Sequence, residues 1–161
     1  MTNEQVCSNF IDNPTESWQT RSSNMSYGNG KLLSYNSILA EHIDGAIHID
    51  YNIARYSNSS AKQANHLRRM IPYNINTFEY DFNAPSITGW YLEQCYNLID
   101  KQKRARKVDY THAIENLLTE AILYSTTYNK PSDELTYLSE HTDDFVGAKQ
   151  TLLLKQTMKE H

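Results

Sequence analysis

The sequence predicts an α+β fold: a small antiparallel sheet, made of a hairpin plus a third strand, packed on a C-terminal bundle of three or four helices. Three observations carry that expectation. Apolar residues recur with a period of two over residues 32–54. The pair Asp44-Gly45 interrupts that stretch where a tight turn would stand. From Ser86 onward the apolar spacing turns helical and stays so. A chain of 161 residues is long enough to bury a real core.

Taken in order, residues 1–30 are rich in Ser, Asn, Thr and Gly and read as a mobile tail that docks through Trp18, closed by the turn residues of 26–30. A single domain is expected from 31 to 161, with a hairpin-helix-strand part over 31–83 and a helical part over 86–161. Residues 32–40 read as a strand with apolar groups on both faces. After Asp44-Gly45, Ile47, Ile49, Tyr51 and Ile53 alternate with His48, Asp50, Asn52 and Ala54, which predicts one buried and one wet face. Ser60-Ala61-Lys62-Gln63 reads as a capping box opening a helix on which Ser60, Ala64, Leu67 and Ile71 share one face, with Met70 beside them, and Pro72 ends it. Phe78, Tyr80 and Phe82 mark the third strand. Helices follow over 86–100, from Asp109, from Ser132 or Asp133, and over 143–159. The last carries Leu152-Leu153-Leu154, more apolar surface than one packing face uses, and so predicts a homodimer.

Charge is unevenly distributed. The net value is −4, yet residues 55–107 hold nine bases against four acids, between two acidic ends. Arg55, Lys62, Arg68 and Arg69 fall in a stretch free of acids from 55 to 78, flanked by Tyr56 and Tyr73. Lys101, Lys103, Arg104, Arg106 and Lys107 place five bases in seven residues. Together with Tyr56 these cations form the candidate binding surface, since they can neutralise phosphates while tyrosine stacks on bases. The competing expectation is that both clusters offset the dipoles of helix C-termini.

Reactive groups are sparse. His48 and Asp50 share a strand face predicted to be solvated, with His42 nearby, and supply at most three metal ligands. His112 and Glu115 stand one turn apart on a helix, with no matching pair to complete a metal site. The two cysteines, Cys7 and Cys95, are too few for a disulfide framework, and Cys95 falls on a buried helical stripe. The five glycines form neither a phosphate loop nor a dinucleotide fingerprint. No catalytic residue, cofactor or metal is therefore predicted. With no apolar run of membrane length and a polar start, a cytoplasmic location is expected.

Two separated motifs add to this reading. Ser34-Tyr35-Asn36-Ser37-Ile38-Leu39-Ala40, followed after a hairpin by Tyr56-Ser57-Asn58-Ser59-Ser60-Ala61-Lys62-Gln63, resembles a small domain of unknown function found in phage- and plasmid-encoded proteins. The family pattern runs S-Y-N-T-x-[IV]-A, a turn, a strand, then Y-S-x-T-T-x-[KH]-Q opening a helix. The resemblance covers about residues 32–71, a quarter of the chain. Ser59 and Ser60 stand here where the family usually has threonines. The resemblance implies a mobile-element accessory protein. The expected function is binding of a host protein or protein–nucleic acid complex, as an inhibitor of a bacterial defence system; the alternative is a small DNA- or RNA-binding module using 55–69 and 101–107.

Overall fold

Polar residues at the start of the chain, read above as a tail, instead build a helix. In the computed structural model, which describes residues 2–19 and 24–141, α1 spans Asn3–Asp12. The Thr2 hydroxyl accepts from the Gln5 N–H and the Gln5 side chain accepts from the Thr2 N–H, a reciprocal capping box. Val6, Cys7, Phe10 and Ile11 then fall on one face and are buried. That burial overturns the expected tail, because an amphipathic turn pattern was hidden in a polar composition.

Six strands follow among the described residues: β1 (Trp18–Gln19), β2 (Met25–Gly28), β3 (Lys31–Ser34), β4 (Ser37–Ile43), β5 (Ala46–Asp50) and β6 (Thr77–Tyr80). They form one sheet in chain order. Asn29-Gly30 and Asp44-Gly45 all have positive φ, between 50° and 79°, the backbone that lets a two-residue hairpin match the twist of its strands. The single strand expected over 32–40 is broken at Tyr35-Asn36, so β3 and β4 pair as a hairpin, Ser34 opposite Ser37. All neighbours are antiparallel except β5 and β6, where Ile47 lies opposite Thr77 and Asp50 opposite Tyr80 in parallel register. A parallel pair needs a crossover. It is supplied by a 3₁₀ turn at Ile53–Arg55 and by α2 (Asn58–Met70), which the Ile71-Pro72 step ends.

Residues Met25, Tyr27, Leu32, Leu39, Ala40, Ile47 and Ile49 of the sheet close a core with α1 and with Ala64 and Leu67 of α2. The sheet thus finds helical cover within its own unit, in a fold of the expected α+β class with a helical C-terminal region. Later come α3 (Ile87–Arg104), α4 (Thr111–Thr127) and α5 (Asp133–Glu140). Ser86 and Ser132 cap α3 and α5 through their hydroxyls. Tyr91, Cys95 and Ile99 of α3 are buried, as are Ile114, Leu118, Ala121 and Tyr124 of α4 and Leu135 and Leu138 of α5. The chain divides into two compact units, Met1–Ala84 and Pro85–His161, rather than the single domain from 31 expected above. No helix among the described residues is long and apolar enough to cross a membrane. The helix expected over 143–159, and the dimer surface on its leucines, lie outside the described residues.

Candidate functional site

The two motifs meet in the interior of the first unit. Ser34, at the end of β3, contacts the Ser60 hydroxyl at 3.2 Å and donates to Gln63 Oε1. Gln63 Nε2 in turn donates to the Asn24 carbonyl at 3.3 Å, and the same carbonyl accepts from the Tyr35 N–H at 2.8 Å. Ser34, Ser60 and Gln63 are each under 4% exposed: 2%, 3% and 2%. The expected capping box at Ser60–Gln63 is therefore not one. Helix α2 begins one turn earlier, with Ser57 as N-cap accepting from the Ser60 N–H at 3.1 Å. Ser60 and Gln63 face inward because they lie beside Ala64 and Leu67 on the buried side of α2. Enclosed polar groups must satisfy one another, and these do.

Residues His48 and Asp50 are not on a wet face either. All five residues of β5 are buried: Ile47 and Ile49 in the core with α1 and α2, and His48 and Asp50 beside Phe78 and Tyr80 of the parallel partner β6. His48 Nδ1 bonds to the Tyr80 hydroxyl at 2.9 Å, and its ring lies 5.2 Å from that of Phe78. Burial pushes its pKa down to about 4, opposed by the Asp44 carboxylate. Burial likewise raises Asp50, against the Asn52 N–H that its carboxylate accepts at 3.1 Å. Both cysteines are buried free thiols pushed up to about 12 by desolvation, a range in which the nucleophilic thiolate is scarce at neutral pH.

The basic residues divide into two groups. Arg55 and Arg68 converge on Glu79, Arg55 at 3.4 Å and Arg68 by a shorter bond, and the Arg55 guanidinium also covers the Tyr51 ring at 3.8 Å. Arg69 bonds to His66 at 2.8 Å, and Lys62 is exposed on α2. Lys101, Lys103 and Arg104 form the last turn of α3, where cations offset the helix dipole. Arg104 pairs with Asp100 at 2.8 Å on an exposed face. Arg106 and Lys107 follow in the exposed connection to α4. The two basic segments belong to different compact units.

Among the described residues no group of three or more His, Cys, Asp and Glu side chains converges as a metal site would require, and the His112–Glu115 pair of α4 is part of none. Shallow recesses on the first unit are formed by described residues. One, of about 280 Å³, is lined by Pro14, Thr15, Asn29, Gly30 and His42; another, of about 370 Å³, by Ser17, Trp18, Ser26 and Tyr27. Aromatic groups stand out on the exterior instead: Tyr35 is 52% exposed, Tyr56 82% and Tyr73 fully so. Tyr56 and Tyr73 carried a signal in the sequence, beside the basic stretch; the exposure of Tyr35 did not, because it lay within an apparent strand.

No family model matches the chain, and comparison with curated proteins and with solved structures gives no match.

Proposed function

We propose that this protein is a phage or mobile-element accessory protein that works by binding a host protein in the host cytoplasm, as an inhibitor of a bacterial defence system, and not by catalysis. The observation that carries the reading is the use made of the motif residues. Ser34, Ser60 and Gln63 spend their hydrogen bonds on one another, and His48 bonds inward to Tyr80. The reactive side chains thus hold the fold, while exposed tyrosines and charges face outward. Asp133, Glu134 and Glu140 are exposed on α5, an acidic surface suited to the basic, nucleic-acid-binding face of a defence protein. The mobile-element origin rests on the resemblance of residues 32–71. Affinity capture from a bacterial lysate at low salt tests the proposal: a host protein retained in stoichiometric amount is expected, and its absence overturns the reading.

A second reading is favoured by one observation. The segment 101–107 keeps all five of its cations exposed, with only Arg104 in an ion pair among the described residues, so it is the stronger of the two basic segments as a phosphate-contacting surface. On that reading the 55–69 segment contributes less, because Glu79 already neutralises Arg55 and Arg68.

A further inference from the structure

We propose that Asn29-Gly30, the turn between β2 and β3, is a site of spontaneous deamidation, gated by the hydrogen bond from the Gly30 N–H to the Pro14 carbonyl. Of the chain's asparagines, Asn29 alone is followed by glycine, and a residue without a Cβ leaves its nitrogen open to attack. The reaction needs only water. The Gly30 nitrogen, after losing its proton to hydroxide, attacks Asn29 Cγ; the N–Cγ bond forms, the Cγ–Nδ2 bond breaks, and ammonia leaves with a proton from water. Water then opens the resulting succinimide at either carbonyl, giving aspartate or isoaspartate. The balance is a water consumed, an ammonia released and a side-chain amide exchanged for a carboxylate, with no oxidation or reduction.

The tertiary structure supplies the gate. The Gly30 N–H donates to the Pro14 carbonyl at 2.9 Å, and the Gly30 carbonyl accepts from the His42 N–H at 2.7 Å. Pro14 lies in the connection between α1 and β1, so the attacking nitrogen is held by a segment distant in the chain. A nitrogen whose proton is bonded to a carbonyl does not attack until that bond opens. The asparagine side chain itself is exposed, and Asn29 lines a recess with Pro14, Thr15 and His42, so water reaches the ring once it forms. The product changes the fold. Gly28 and Lys31 are cross-strand partners around this turn, and isoaspartate routes the backbone through an extra methylene between them. The register that sets Met25 and Tyr27 in the core is then lost. A chain that opens at the α1–β1 connection is thereby marked and does not regain the hairpin, which ties the protein's lifetime to the seating of that connection.

Peptide mapping of the full chain by mass, after incubation at mildly alkaline pH, is the test. Conversion at Asn29 is expected to be at least about tenfold slower in buffer than in concentrated urea, the suppression that a local opening equilibrium imposes. Pro14→Gly, which frees the connection but keeps its carbonyl, is expected to raise the rate in buffer and leave the rate in urea unchanged. Wild type held in urea until Asn29 is converted is expected to lose refolding on dilution, whereas Asn29→Gly refolds after the same treatment. Equal rates in buffer and urea, or no conversion in urea, overturn the proposal. A folded Pro14→Gly with the wild-type rate in buffer overturns the gate. So does a wild-type Gly30 amide that exchanges hydrogen as fast in buffer as in urea, a measurement that stands even where Pro14→Gly does not fold. Converted wild type that refolds as well as Asn29→Gly overturns the effect on the hairpin.

Discussion

Residue His48 shows how a single position changes meaning between sequence and structure. Alternation places it opposite Ile47 and Ile49, and a polar residue opposite a buried face is ordinarily wet. Here Phe78 and Tyr80 of the parallel partner strand flank it in register, the Tyr80 hydroxyl bonding to its Nδ1, and the imidazole is 2% exposed. Its pKa in the folded chain is about 4 against 6.5 unfolded. As pH falls below 6.5, unfolded chains bind a proton that folded chains refuse. Stability is therefore full at neutral pH, declines between 6.5 and about 4, and the loss is complete below that. The slope is at most about 1.4 kcal/mol per pH unit. Asp50 has the opposite sign: its pKa is raised by burial, so it favours the folded state most below the ordinary carboxylate range and loses that contribution as pH rises. Comparison with His48→Asn isolates the imidazole. Thermal unfolding between pH 7 and 4.5 is expected to show a steeper acid loss in wild type than in the variant; equal slopes would refute the assignment.

At the scale of elements, two candidate helix starts exchanged roles. Ser60-x-x-Gln63 has the spacing of a capping box but sits inside α2, where both side chains turn to the core. Thr2-x-x-Gln5 has the same spacing and is the real box. Its signal was present, since Val6 and Phe10 are four apart with Cys7 and Ile11 beside them, but a polar N-terminal composition hid it. Local spacing cannot tell the two apart, because a hydroxyl and an amide serve a cap or a buried bond equally well; the neighbouring strand decides. The energetic consequence is specific. Ser57→Ala removes the true cap and is expected to cost about 1 kcal/mol. Gln63→Leu deprives Ser34 of its acceptor in the interior and is expected to cost about 1–3 kcal/mol, with urea unfolding as the measurement. A Gln63→Leu variant as stable as wild type would mean that the interior contact is dispensable.

On the scale of the whole molecule, the net charge of −4 conceals a basic middle and acidic flanks. Tertiary contacts edit that pattern, since Glu79 draws in Arg55 and Arg68 while the cations of 101–107 remain exposed. Replacing Lys101, Lys103, Arg106 and Lys107 with Gln is therefore expected to remove most of any single-stranded DNA retention at low salt, whereas Arg55→Gln removes little; filter binding across a salt series checks both. Equal effects of the two changes would place the phosphate contacts elsewhere. The sequence by itself determined the α+β class, the Asp44-Gly45 turn, the start of the helical pattern at Ser86 and its restart at Ser132 or Asp133, because periodicity and turn conformation act over a few neighbouring residues; the last turn of α3, read as a separate basic run, was not among these. Only the tertiary structure decided that Ser34 bonds to Ser60 and Gln63 in the interior, that all of β5 is buried, that Glu79 neutralises two arginines and that Tyr35 takes a positive φ at a turn. Each of those depends on a partner distant in the chain, and a polar side chain carries no local mark of which distant group will meet it.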